Sequence, residues 1–157
     1  MNTSNAFNYK VLGVTLARGG SKGIPKKNIY DVNGTPLIAY TIKAALGAKL
    51  FTDYIVSTDC EEIATVSKTY GANVPFMRPD ELSGDTVWSR DALQHAVKEM
   101  EKINNIKYDY VIELPCVSPL RSSDHILEAF DNMIKEQSDS VTSVAMMQDK
   151  HPVRMKR

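Results

Sequence analysis

Strand-like and helix-like segments alternate along this chain from residue 11 onward, and that alternation narrows the fold more than any other feature. Val11–Leu16 is an apolar, β-prone run, and residues 36–50 place Ile38, Ile42, Ala45 and Leu46 at helical spacing. Residues 54–57 read as a short strand. Asp59 then stands as a helix N-cap with Glu62 as its capping-box partner, Ile63, Val66 and Tyr70 form the helix face, and Gly71 stops it. Residues 73–77 read as extended. Asp85 and Thr86 read as the start of a helix, with Asp85 as its cap. Residues 90–103 carry Leu93, Val97, Met100 and Ile103 on one face, residues 108–114 form a buried-strand pattern, and Ser123–Lys135 is an amphipathic helix through Ile126, Leu127, Phe130, Met133 and Ile134. Residues 140–146 begin a further strand. The order predicts an α/β fold with a mostly parallel sheet covered on both faces. Such sheets bind ligands beyond the carboxyl ends of their strands, so the loops after Leu16, Ser57 and Leu114 are expected to line one mouth.

Composition removes several classes of function. A length of 157 residues suits one domain with one core, and zero formal net charge gives no broad electrostatic footprint for nucleic acid or an anionic membrane. Cys60 and Cys116 lack paired spacing, which argues against a disulfide framework or a thiolate zinc site. His95, His125 and His151 show no metal-ligand spacing. The opening residues lack a signal-peptide core and no apolar run is long enough for a membrane span, so a cytoplasmic location is expected. Residues 1–9 read as a flexible lead-in and residues 10–157 as the domain.

The first strand runs directly into ARGGSKGIPKKN, residues 17–28, which holds Arg18, Lys22, Lys26 and Lys27 without an acid. In α/β folds this is where phosphates sit. Gly19, Gly20 and Gly23 let backbone amides approach a ligand, and Ser21 adds a hydroxyl. Arg18 can clamp phosphate oxygens as a fork while the lysines act as point charges. The loop is neither a Walker A motif nor a dinucleotide fingerprint, because Lys22 is followed by Gly23 and the glycine spacing differs. A solvated basic turn is the plainer alternative.

This loop with NGTPLIAYTI after it resembles the opening signature of the acylneuraminate (CMP-sialic acid) cytidylyltransferases. Residues 56–64 (VSTDCEEIA), 74–86 (VPFMRPDELSGDT) and 118–121 (SPLR), with His151 and Pro152, agree in the same order. The resemblance implies a three-layer α/β/α, Rossmann-like nucleotidyltransferase fold. It also implies transfer of CMP from CTP to a nonulosonic (sialic-acid-like) sugar acid, with release of pyrophosphate. Under it, Arg18, Lys22 and Lys27 would stabilise the reacting phosphates. Ala17, Gly19, Gly20, Ser21, Asn28, Arg78, Asp85, Thr86 and Ser89 would hold the nucleotide, with Arg78 at the cytidine end. Pro115, Ser118 and Arg121 would face the sugar. Mg2+ and a homodimer are implied as well. Asp59 is read as only a helix cap, and Trp88 as core or rim packing.

Two departures accompany the resemblance. Family members usually read Gln-Pro-Thr where Pro115, Cys116 and Val117 stand, and a proline cannot replace a hydrogen-bonding amide, so the acceptor sugar is expected to differ. No Asp-x-Asp pair occurs, so the metal-binding and dimerisation part is expected to lie outside this chain. The alternatives are another sugar nucleotidyltransferase, acting on Kdo or a sugar-1-phosphate, or a truncated nucleotide-binding remnant without turnover.

Overall fold

The computed structural model describes residues 9–21 and 23–144. Strand β1 (Val11–Leu16) is the centre of a three-stranded parallel sheet, flanked by β4 (Asp53–Ser57) and β5 (Tyr110–Glu113). Between them lie a two-residue hairpin, β2 (Asp31–Val32) and β3 (Thr35–Pro36), and the helices α1 (Leu37–Ala48), α2 (Glu61–Thr69) and α3 (Ser89–Asn104). Helix α4 (Ser123–Lys135) follows β5.

Side-chain alternation on the strands sorts the helices into two layers. Val11, Tyr54 and Val56 bury against Ile38, Ile42 and Ala45 of α1, Ile63 of α2, and Ile126 and Phe130 of α4. Leu12, Val14 and Ile55 point the other way and bury against Ala96 and Met100 of α3. The expected three-layer α/β/α arrangement is therefore present, with three helices on one face and α3 on the other. Gly13 is required by packing, since a Cβ there would stand 2.8 Å from the Phe51 ring and 2.9 Å from Tyr54. Beneath the strand ends, Thr15 Oγ1 donates to the Leu114 carbonyl at 3.0 Å and meets the Tyr54 hydroxyl at 2.7 Å. The single Thr15 proton is committed to Leu114, so Tyr54 donates to Thr15.

Several expectations shift on contact with the fold. Helix α2 begins at Glu61 with Cys60 as N-cap and no side-chain cap, so Asp59 is not its cap. Helix α3 is preceded by Trp88, not by an Asp85 cap. In both places the acid is drawn away by a cation brought close in three dimensions. Leu46 and Ile103 lie on the exposed edges of their helices. Strand β5 is an edge of the described sheet, so it is less buried than its apolar run suggests, and Val111 is exposed. Residues 140–144 are exposed and form no strand, and 145–146 lie outside the described residues. Tyr9, counted with the lead-in, packs edge-on against Tyr110 at 5.1 Å and Phe130 at 6.4 Å. The β2–β3 turn is made by Asn33 and Gly34, both at positive φ, from an Asn-Gly pair that typifies tight hairpins.

Candidate active site

The carboxyl ends of β1 and β5 open into a cleft of about 720 Å³. Four sections of chain build it. The glycine loop supplies Arg18, Ser21, Lys27 and Asn28. The segment between α2 and α3 supplies Arg78, Ser83 and Asp85. The start of α3 supplies Trp88, Ser89 and Ala92, and β5 with its loop supplies Glu113, Pro115, Cys116 and Val117. Two of the three loops expected to line this mouth, those after Leu16 and Leu114, do so directly. The loop after Ser57 stands behind it, against the glycine loop.

The glycine loop is held by side chains from both directions. Asn28 is buried and its Nδ2 donates to the Arg18 carbonyl at 2.9 Å, closing the loop on itself. Asp59 Oδ1 accepts the Gly19 amide at 2.9 Å, and Gly19 lies so close to the β4–α2 connection that a Cβ would stand 2.9 Å from Cys60 Cβ. That proximity explains one of the loop glycines. Gly20 and Gly23 meet nothing within 4 Å and have no positive φ. They leave open backbone on the solvent side.

Arg78 is 5% exposed although it reaches the cleft wall. Its Nη2 lies 3.5 Å from Asp59 Oδ1 and its Nε donates to Ser83 Oγ at 3.1 Å. Burial lowers its pKa while the Asp59 carboxylate opposes that shift. Arg18 Nη1 meets Asp85 Oδ1 at 2.7 Å with both side chains over one-third exposed. Such a pair contributes little stability, and an incoming anion can exchange for the carboxylate.

The remaining expected site residues divide. Ser89 lines the cleft as the first residue of α3, and Pro115 lines it from the β5 loop. Ala17 is fully buried and donates its amide to Ser57, while Gly19 and Gly20 stand off the lining. Thr86 and Ser118 are exposed outside the cleft. Arg121 turns under the β5 loop, where its Nη2 donates to the Pro115 carbonyl at 3.0 Å, so it holds the loop rather than facing the cleft. Lys22, His151 and Pro152 lie outside the described residues. Trp88 is 75% exposed on the rim, not in the core.

Two residues escaped the sequence reading. Asp59 looked like a cap because the residues around it suit one, and only the folded chain shows its link to Gly19 and Arg78. Glu113 had a signal, a single charge inside the apolar run VIELP. Among the described residues the cleft offers three cations, Arg18, Lys27 and Arg78, hydroxyls from Ser21, Ser83 and Ser89, and no activated nucleophile. Burial pushes the Cys116 thiol up to about 12, so it stays protonated. The chemistry available is the binding and electrostatic stabilisation of a polyanion.

A family profile described as cytidylyltransferase matches residues 12–156. The chain belongs to the cytidylyltransferase family. Among the relatives of this chain is the pseudaminic acid cytidylyltransferase of Campylobacter jejuni, 43% identical over 129 residues that cover 82% of this chain and 55% of that protein. The N-acylneuraminate cytidylyltransferase A of Danio rerio is 38% identical across 85% of this chain and 30% of its own length. The CMP-N,N'-diacetyllegionaminic acid synthase of Legionella pneumophila is 37% identical across 87% of this chain and 58% of its own. The chain spans about half the length of the first curated relatives it matches. Among solved structures, a CMP:2-keto-3-deoxy-manno-octonic acid synthetase complexed with CTP superposes with a TM-score of 0.66 at 23% identity. The match covers 82% of this chain and 48% of that one, and it shows that the two share a fold.

Proposed function

We propose that this chain forms the CTP-binding part of an enzyme that transfers CMP from CTP to a nonulosonic sugar acid and releases pyrophosphate. The observation that carries the reading is the placement of Arg18, Ser21, Lys27 and Asn28 together on one wall of the cleft at the end of β1. Arg18 and Lys27, with Lys22 of the same loop, would bind the triphosphate and offset charge as the sugar hydroxyl attacks the α-phosphate. Such transfers depend mainly on positioning and electrostatics. Arg78, fixed by Asp59 and Ser83, would act at the nucleoside side, and Ser89 would add a hydroxyl there. Relatives named for pseudaminic, N-acylneuraminic and legionaminic acids support the sugar-acid class over a sugar-1-phosphate. Pro115, Cys116 and Val117 would shape the acceptor side.

Magnesium is part of this reading. The carboxylates that line the cleft are Asp85, engaged with Arg18, and Glu113, and no cluster of three possible ligands occurs among the described residues. These residues fit a magnesium carried mainly by the oxygens of the nucleotide, whose charge it would offset, rather than one caged by protein. The reading places the enzyme in the cytoplasm, where CTP is available. No helix of the described residues is long and apolar enough to cross a membrane. A homodimer belongs to the same reading, and light scattering on the purified protein tests it.

Calorimetry with CTP, with and without magnesium, tests the nucleotide assignment. Selective CTP binding that Lys22→Ala and Lys27→Ala each weaken at least tenfold supports it. Absence of CTP binding under both conditions overturns it.

A further inference from the structure

Glu113 is the last residue of β5 and lines the cleft, yet its carboxylate has no hydrogen-bond or ion-pair partner among the described residues. It pairs in register with Val14, and neighbours in a parallel ladder direct their side chains to the same face. Val14 packs on α3, so Glu113 stands on the α3 side of the sheet, where Leu16 and Ala92 line the same cleft. Burial pushes its carboxyl pKa up, and no cation among the described residues offsets this. The basic side chains of the cleft are engaged elsewhere or come from other walls: Arg18 meets Asp85, Arg78 meets Asp59, and Lys27 belongs to the glycine loop.

Glu113 is exposed, so water solvates its carboxylate, and a ligand that fills the cleft and displaces this water must supply a donor in its place. Phosphate oxygens carry no proton to give and repel it. The uncharged donors that every ligand of the proposed class carries are the 4-amino group of cytosine, which the reading above puts at the Arg78 end of the cleft, and the hydroxyl groups of the ribose and of the acceptor sugar. We propose that Glu113 is a specificity-determining residue that accepts a hydrogen bond from a hydroxyl group of the bound ligand. The inference rests on the CTP-dependent reading of the cleft. A charge-assisted bond of this kind discriminates by about tenfold or more against a ligand that lacks the donor.

Calorimetry on the full chain, wild type, Glu113→Ala and Glu113→Gln, tests it with two ligand pairs. The first is CTP against 2',3'-dideoxy-CTP, which reads the ribose hydroxyls. The second is CMP against CMP-N-acetylneuraminic acid, which reads the sugar. Glu113→Ala is expected to erase about a tenfold preference within one pair and leave the other intact, naming the source of the hydroxyl. Glu113→Gln, which keeps the shape and one acceptor oxygen, is expected to fall between. Thermal melts of each variant report whether the fold is retained. If CTP binds and both preferences survive Glu113→Ala, the assignment is wrong while the nucleotide site stands. An effect confined to magnesium-containing buffer would make Glu113 a metal contact and also overturn it. Failure of the wild type to bind CTP removes both readings together.

Discussion

The Asp59 carboxylate holds the Gly19 amide at 2.9 Å across 40 residues of sequence, and the same oxygen lies 3.5 Å from the Arg78 guanidinium. One side chain thereby fixes the first turn of the basic loop and the most buried cation of the cleft. Asp59→Ala leaves Arg78 buried without its counter-charge, and we expect a loss of about 2–3 kcal/mol in stability. CTP affinity should fall roughly tenfold, the equivalent of about 1.4 kcal/mol. Asp59→Asn retains an acceptor for Gly19 and should lie between. Wild-type melting temperature and CTP affinity in Asp59→Ala would show that the bridge is incidental.

Asn28 acts from within the loop. Removing its Nδ2 bond to the Arg18 carbonyl by Asn28→Ala should cost about 1 kcal/mol. CTP binding should weaken several-fold because Arg18 loses a fixed backbone. Asn28→Asp removes the donor and adds a negative charge beside the basic residues, so its effect should be larger. Calorimetric titration of both variants against wild type checks the order.

Gly13 has no room for a methyl group, since its Cβ position lies 2.8 Å from two carbons of the Phe51 ring. Gly13→Ala is expected to destabilise the fold by about 1–3 kcal/mol through forced repacking. Adding Phe51→Leu should return part of that loss. Urea unfolding of the single and double variants measures the coupling, and strictly additive effects would reject this packing as its cause.

Tyr108 gives the fold an alkaline dependence. Burial and its hydrogen bond to Asp53, 2.6 Å long, push the phenol from 10 up to about 12. A group whose folded pKa is raised binds its proton more tightly when folded. Its contribution is therefore complete below pH 10 and is lost as pH rises through about 12. Melting temperatures measured across this window should fall more steeply for wild type than for Tyr108→Phe. Parallel curves would show that Tyr108 is not responsible.

The elements that could be read from sequence are those specified by local pattern. Val11–Leu16 and Ser123–Lys135 have in the structure the bounds their periodicity predicts, because a continuous apolar run and a 3.6-residue stripe each leave few alternatives. The basic loop was legible for the same reason, since four cations in twelve residues announce themselves. Asp59 and Asp85 were not. An acid two or four residues before a helix looks the same whether it caps that helix or reaches a distant arginine, and the choice is made by tertiary neighbours. Strand β5 misled in another way, because an apolar run reports a propensity to pair but not whether a strand stands at the centre or the edge of a sheet. Arg121 was read as a sugar contact, and its sequence neighbours hold no sign that the Pro115 carbonyl would claim it.

The Tyr54–Thr15–Leu114 relay crosses all three strands just below the mouth of the cleft. It works as a crossbar that ties the end of β1 to the residue after β5 and to the tyrosine at the start of β4. Loops anchored on such a frame begin at a set spacing, so a ligand that touches several of them at once meets a gauge already cut to size. Thr15→Val would keep the volume and remove the crossbar. Its mark should be a looser grip on the whole ligand, felt by base, phosphates and sugar alike.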